Sequence, residues 1–205
     1  MTDEDAGARR ADRADGADRD DEGWPDAAGD TALSVPVPEA AALVRTGSEP
    51  HLTLLYPFLP LPRITPADGA ALAELFAATR PFTLAFPALR RWPGVLYLAP
   101  QPDEPLRALT KALRERWPGV VPYRGVFGHE GLDPHLTLAA GPGTDELPAP
   151  RFAAALPLRT RVDTVRLVVT DGPGTGWRPA RSFRLGGARP RGLCQPGPPP
   201  VGRAR

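Results

Sequence analysis

The apolar positions of the chain change period several times, and each change marks an element. Ala32 to Pro38 sets Leu33, Val35 and Val37 between smaller or imino residues, which predicts a first strand. Its two prolines predict an edge or irregular strand. A short helix follows over 39–45, with Gly47 as its stop. Residues 51–57 then form a strand-like run in which Leu52, Leu54 and Leu55 surround the β-branched Thr53. Thr65 is a good N-cap with Pro66 at the first helical position. The helix that follows runs to Thr79, with Ala71, Leu72, Leu75 and Phe76 as its buried stripe. Residues 82–89 and 95–99 read as the two strands of a hairpin turning over 90–94. A helix over 103–117 presents Leu106, Leu109, Leu113 and Trp117 on one side.

The second half repeats this order. A loop rich in Gly, Pro and aromatic residues spans 118–134, and a strand spans 135–139. A loop over 141–150 and a short helix over 151–156 lead to a long strand region, 158–170. A turn over 171–176 and a final strand over 177–185 complete a second hairpin. Strand, helix, hairpin occurs twice, which predicts an internal duplication.

The two leading strands share a pentapeptide. Pro50-His51-Leu52-Thr53-Leu54 returns, 84 residues later, as Pro134-His135-Leu136-Thr137-Leu138, and these hold two of the three histidines. Side chains alternate faces along a strand. His51 and Thr53 therefore share one face while Leu52 and Leu54 share the other, and His135, Thr137, Leu136 and Leu138 divide in the same way. Each strand is apolar on one side and offers an imidazole and a hydroxyl on the other.

Paired His-x-Thr-hydrophobic tetrads, one per half of a chain of this size, resemble those of the two-histidine phosphoesterase superfamily. The similarity is greatest to its bacterial 2′-5′ RNA ligase-like and cyclic phosphodiesterase branch. Leu55-Tyr56-Pro57-Phe58 and Pro93-Gly94-Val95-Leu96-Tyr97-Leu98 fit that branch, and the resemblance covers roughly residues 31 to 185. It implies an α+β fold: bilobal, pseudo-duplicated antiparallel sheets with outer helices around a central groove, one motif per lobe. It also implies His51 and His135 as catalytic residues, with Thr53 and Thr137 as phosphate ligands.

Composition adds limits. The 205 residues carry a net charge of +1, unevenly spread. Residues 1–30 hold 11 acids and 4 arginines, and residues 186–205 hold 4 arginines and no acid. The first has few large apolar residues, the second is rich in Pro, Gly and Arg, and both are expected to be disordered tails flanking a two-lobed unit over 31–185. That unit is mildly basic, which suits a phosphate-bearing ligand. Cys194 is the sole cysteine, so no disulfide framework forms within the chain. Neither a signal-peptide pattern nor a run of 18 apolar residues is present, which predicts a cytoplasmic protein without a membrane partner.

Two imidazoles with ordinary pKa values of about 6.5 can divide into free base and acid near neutrality. One takes a proton from water or an incoming 5′-hydroxyl while the other gives one to a leaving ribose oxygen. Thr53 and Thr137 donate to the non-bridging oxygens. The expected activity is metal-independent hydrolysis, or ligation in reverse, of a 2′,3′-cyclic phosphate or 2′-5′ linked RNA or nucleotide. The expected partner is an RNA end or cyclic nucleotide; no cofactor, metal or obligatory protein partner is implied. Nothing in the sequence separates base from acid.

Tyr56, Tyr123 and Phe127 lie near the motifs and are candidates to stack on a base. Where some relatives carry an arginine after the second tetrad, this chain has Ala139-Ala140-Gly141, and Arg124 is a candidate for that charge. His129 with Asp133 and His135 mimics a metal set only weakly. A silent RNA- or nucleotide-binding module with the same groove is the rival reading, and a metal-dependent hydrolase the third.

Overall fold

A computed structural model of the chain describes residues 26–128 and 131–187. His129, Cys194 and most of both predicted tails lie outside the described residues. The fold is α+β. Its strands are β1 (Thr31–Pro36), β2 (His51–Leu55), β3 (Phe82–Phe86), β4 (Leu89–Trp92), β5 (Val95–Leu98), β6 (Leu136–Ala140), β7 (Leu158–Val162), β8 (Thr164–Thr170) and β9 (Trp177–Arg184). The α-helices are α1 (Pro66–Ala78), α2 (Glu104–Arg116) and the short α3 (Ala149–Ala153).

The strands form three antiparallel groups, ordered β2-β1-β8-β9, β4-β5-β6 and β3-β7. Each motif strand, β2 and β6, is the edge strand of its own sheet, and the two lie against each other. The alternation read from sequence holds in both. Leu52, Leu54, Leu136 and Leu138 are buried, whereas His51, Thr53, His135 and Thr137 are half-buried. The buried faces pack on the helices, with α1 against β9 and α2 against β2. Leu72 and Phe76 of α1, Leu106, Leu109 and Leu113 of α2, and Leu33, Leu167 and Phe183 of the four-stranded sheet join one core. Burying each such Leu or Phe contributes about 1.5–3 kcal/mol.

Several expectations need correction. The strand predicted over 82–89 is two strands, because Pro87 has no N–H with which to extend a ladder. The hairpin is formed by β4 and β5 around a two-residue turn at Pro93-Gly94, where Gly94 takes a φ of 67°. The region 158–170 likewise divides at Asp163, whose carbonyl accepts from the Leu185 N–H at 2.8 Å. Its first part, β7, crosses to pair with β3, and only its second part, β8, forms the final hairpin with β9. β1 is irregular, as its prolines allowed, with a register shift between Leu33 and Ser34, but it is interior and not an edge. Pro36 pairs with His51 of β2, and the pairing of β1 with β8 has already ended at Ser34. The helix expected over 39–45 is a single 3-10 turn, Pro38–Ala40, and the one expected over 151–156 is α3.

Residues 26–30 of the acidic segment are among those described, and they join the fold. Gly29 N–H donates to the Thr170 carbonyl at 2.9 Å, and Asp30 is buried.

Thr65 caps α1 as expected. Its hydroxyl accepts from the Asp68 N–H at 3.1 Å, and the Asp68 carboxylate accepts from the Thr65 N–H at 3.0 Å. Asp68 also accepts from the Trp117 indole at 2.9 Å, which ties the start of α1 to the end of α2. Bonds from Thr65 first, then Trp117, hold the Asp68 carboxyl down to about 2 from an ordinary 3.8. The stabilisation is therefore present above the ordinary value and fades as pH falls towards 2. Asp68→Ala should lose about 1 kcal/mol at neutral pH. Denaturant unfolding of both proteins should show that gap narrowing at about pH 3.

Candidate active site

The polar faces of β2 and β6 meet across a cavity of about 160 Å³ lined by His51, Thr53, His135 and Thr137, together with Glu49 and Thr46. All four residues singled out from the duplicated motif thus line one site. The two rings are held alike. His51 Nδ1–H donates to the Glu49 carbonyl at 2.7 Å, and His135 Nδ1–H donates to the Asp133 carbonyl at 2.8 Å. A carbonyl only accepts, so each Nδ1 carries the proton and each Nε2 is the ring nitrogen left for a ligand.

Beyond the carbonyl bond, the surroundings of His135 are aromatic. The Trp92 ring meets it edge-on at 4.8 Å, Tyr97 at 5.9 Å, and Trp92 stacks on Tyr97 at 4.0 Å. Tyr97 is placed there by pairing with Thr137. Burial pushes the His135 pKa below its ordinary 6.5; the Asp133 carbonyl opposes this and the nearby His51 adds to it. An unprotonated His135 is therefore favoured at neutral pH.

A second cavity of about 270 Å³ continues from His51 and Thr53 across the open face of the four-stranded sheet. Tyr56, Tyr123 and Trp177 supply aromatic walls, and Ser34, Glu49 and Arg166 supply polar groups. Tyr56 packs edge-on to Tyr123 at 6.0 Å and to Trp177 at 5.5 Å. Its hydroxyl donates to Asp26 at 2.5 Å. The Tyr123 side chain is hydrogen-bonded to that of Thr53. Burial raises both phenols to about 12, so they stay protonated and can donate near neutrality.

The other two candidates lie elsewhere. Arg124 pairs with Asp30 at 2.5 Å, sits over the Tyr56 ring and lines neither cavity. Phe127 packs on Tyr123 at 5.3 Å, also outside both linings. Tyr123 and Arg124 take left-handed φ values of 49° and 51°, unusual for non-glycine residues. A bond from Tyr123 N–H to the Tyr56 carbonyl at 2.6 Å and the Asp30 ion pair hold them there. Trp92, Arg166 and Trp177 were not legible as site residues, since each reaches the site through sheet pairing with distant segments. Among the described residues, no cluster of three or more His, Cys, Asp or Glu is placed to hold a metal ion, and no helix is long and apolar enough to cross a membrane.

Two edge strands bearing matched His and Thr pairs on either side of a groove define a protein of the two-histidine phosphoesterase class. Comparison with known proteins agrees. The family model of the 2′-5′ RNA ligase superfamily matches residues 39–174, and the chain belongs to that superfamily. Among solved structures, the fold is similar to that of E. coli LigT in complex with 3′-AMP. Identity is 20%, 78% of this chain and 98% of that chain are covered, and the TM-score is 0.51. It is also similar to the crystal structure of a phosphoesterase, with 19% identity, 77% and 98% coverage and a TM-score of 0.51. No curated protein sequence matches the chain.

Removing the Trp92 ring lets water reach the His135 imidazole. Trp92→Ala should therefore raise the His135 pKa towards 6.5, read by NMR titration of the ring protons. An unchanged or lower value would show that Trp92 does not set the burial of this ring.

Proposed function

We propose that the protein is a phosphoesterase that opens a 2′,3′-cyclic phosphate at an RNA end or nucleotide, with His51 and His135 as acid and base. The observation that carries this reading is the matched tethering of both imidazoles, which leaves two Nε2 atoms and two threonine hydroxyls around one cavity. The depressed His135 pKa favours it as the base and leaves His51 as the acid. His135 Nε2 takes a proton from water as its oxygen bonds to phosphorus. The bond from phosphorus to one ribose oxygen breaks, and that oxygen takes the Nε2 proton of His51 in its imidazolium form, which keeps its Nδ1–H on the Glu49 carbonyl. Thr53 and Thr137 donate to the non-bridging oxygens, where charge builds up. A 5′-hydroxyl in place of water opens the same cyclic phosphate: its oxygen bonds to phosphorus, one ribose oxygen leaves as a hydroxyl, and the product is a phosphodiester that joins the two ends.

The larger cavity is the place for the nucleoside. It adjoins His51 and Thr53, and its walls of Tyr56, Tyr123 and Trp177 suit a flat base. That E. coli LigT has been seen with 3′-AMP, a nucleoside monophosphate, supports a nucleotide in this site.

Hydrolysis of the four nucleoside 2′,3′-cyclic phosphates in excess EDTA tests the chemistry. Wild type should turn over with a bell-shaped pH profile, and His51→Ala or His135→Ala should each lower kcat about 10²–10⁴-fold. No turnover in wild type, on nucleotides and on a short cyclic-ended RNA alike, would leave a binding module. Full loss of activity in EDTA would point to a metal-dependent hydrolase. Base stacking is worth about 1–3 kcal/mol, so Trp177→Ala should raise KM about 10-fold or more with little change in kcat. An unchanged KM would remove the nucleoside from that cavity.

A further inference from the structure

The two motifs share more than the pentapeptide. The residue two before each histidine is acidic, Glu49 and Asp133, and a proline follows each. Each acid is held at both ends. Its main-chain carbonyl takes the imidazole Nδ1–H, and its carboxylate takes an arginine from a distant element. Glu49 is bound by Arg166 of β8 at 2.5 Å, and Asp133 by Arg107 of α2 at 3.0 Å. Arg107 is itself anchored, its Nε donating to Asp103 at 2.7 Å just before α2 begins. One clamp comes from a strand and the other from a helix. A duplicated fold alone does not place an arginine at both points, since the two elements have no common place in the two lobes.

We infer that Arg107 and Arg166 are positioning residues, which aim the two imidazoles by fixing the acidic residue whose carbonyl each ring binds. The inference rests on the acid-base roles proposed for His51 and His135. The proline at the next position restricts the acid to extended backbone, so its carboxylate and carbonyl move together. With the arginine gone, the carbonyl is held less firmly and the preference of the ring for one tautomer weakens. Stability is not the main effect. Arg107 and Asp133 side chains are each 46% exposed, and ion pairs so placed add little to folding. Arg107 also lines neither cavity, so its loss removes no wall of the site. Arg166 lines the larger cavity, so its loss reaches substrate as well.

Arg107 is therefore the residue to test, in the full chain, as Arg107→Gln and Arg107→Lys. Lys111→Gln is the control, because it breaks another exposed ion pair of the same helix, to Glu115. Nitrogen-15 NMR of the imidazoles without substrate reads the tautomer, and kcat and KM on a 2′,3′-cyclic nucleotide read the reaction. In wild type, neutral His135 should be the Nδ1–H tautomer. In Arg107→Gln it should become a mixture, with His51 unchanged. A misaimed group costs much of its rate, so kcat should fall about 10-fold with KM nearly constant. Arg107→Lys should restore part of both effects, and Lys111→Gln should show neither. A His135 that keeps a single Nδ1–H tautomer and full kcat in Arg107→Gln would overturn the inference. So would a loss of equal size in Lys111→Gln, which would mark general destabilisation. If wild type turns over no cyclic phosphate, the proposed reaction falls, and the ring-nitrogen shifts alone decide the clamp.

Discussion

A strand has two faces, and the groove of this protein depends on that geometry twice. In β2 and β6 the leucines must point into the core, because they supply apolar area that helices α1 and α2 leave to be covered. The pleat then forces His51, Thr53, His135 and Thr137 the other way. A slip of one residue in either strand would bury an imidazole and expose a leucine, so the apolar side protects the register of the polar side. Both motif strands are also sheet edges. An edge strand has no neighbour on its outer flank, which is what allows two such strands to approach and share a cavity.

The two halves are alike in their motifs and unlike in their surroundings. His51 opens onto the larger cavity, with Tyr56, Tyr123 and Trp177 beyond it. His135 is walled by Trp92 and Tyr97. The two motifs thus stand in unequal surroundings, and burial lowers the proton affinity of His135. The loop after α2 belongs to the same arrangement. Tyr123 reaches Thr53 through a backbone conformation that non-glycine residues seldom adopt. The Arg124–Asp30 pair stays beside it, where it anchors the loop and lines neither cavity.

Much of this was legible because it is local. The Pro-His-Leu-Thr-Leu repeats name four site residues outright, and pleat alternation says which way they face. Thr65, Pro66 and the stripe through Leu72 and Phe76 describe α1 without help from the rest of the chain. The errors came where a segment's partner is remote. Residues 82–89 and 158–170 each look like one strand, yet each divides so that β3 and β7 can pair across 76 residues while their continuations serve other sheets. Pro36 suggested an edge, and only the end of the β1–β8 pairing at Ser34 shows why an interior strand tolerates it.

The sequence by itself determined the two motifs, the two long helices and the chemistry that two imidazoles and two hydroxyls can perform, and the class of fold was what the resemblance of those motifs implied. The motifs and helices follow from periods of two and 3.6 residues and from side-chain identity, which need no knowledge of distant neighbours. Tertiary structure alone decided which strands pair, which arginines hold Glu49 and Asp133, which aromatic rings surround His135, and that Arg124 serves Asp30. Each of these is a contact between residues far apart in the chain, set by sheet order and helix packing. No local pattern of hydrophobic and polar positions carries that information.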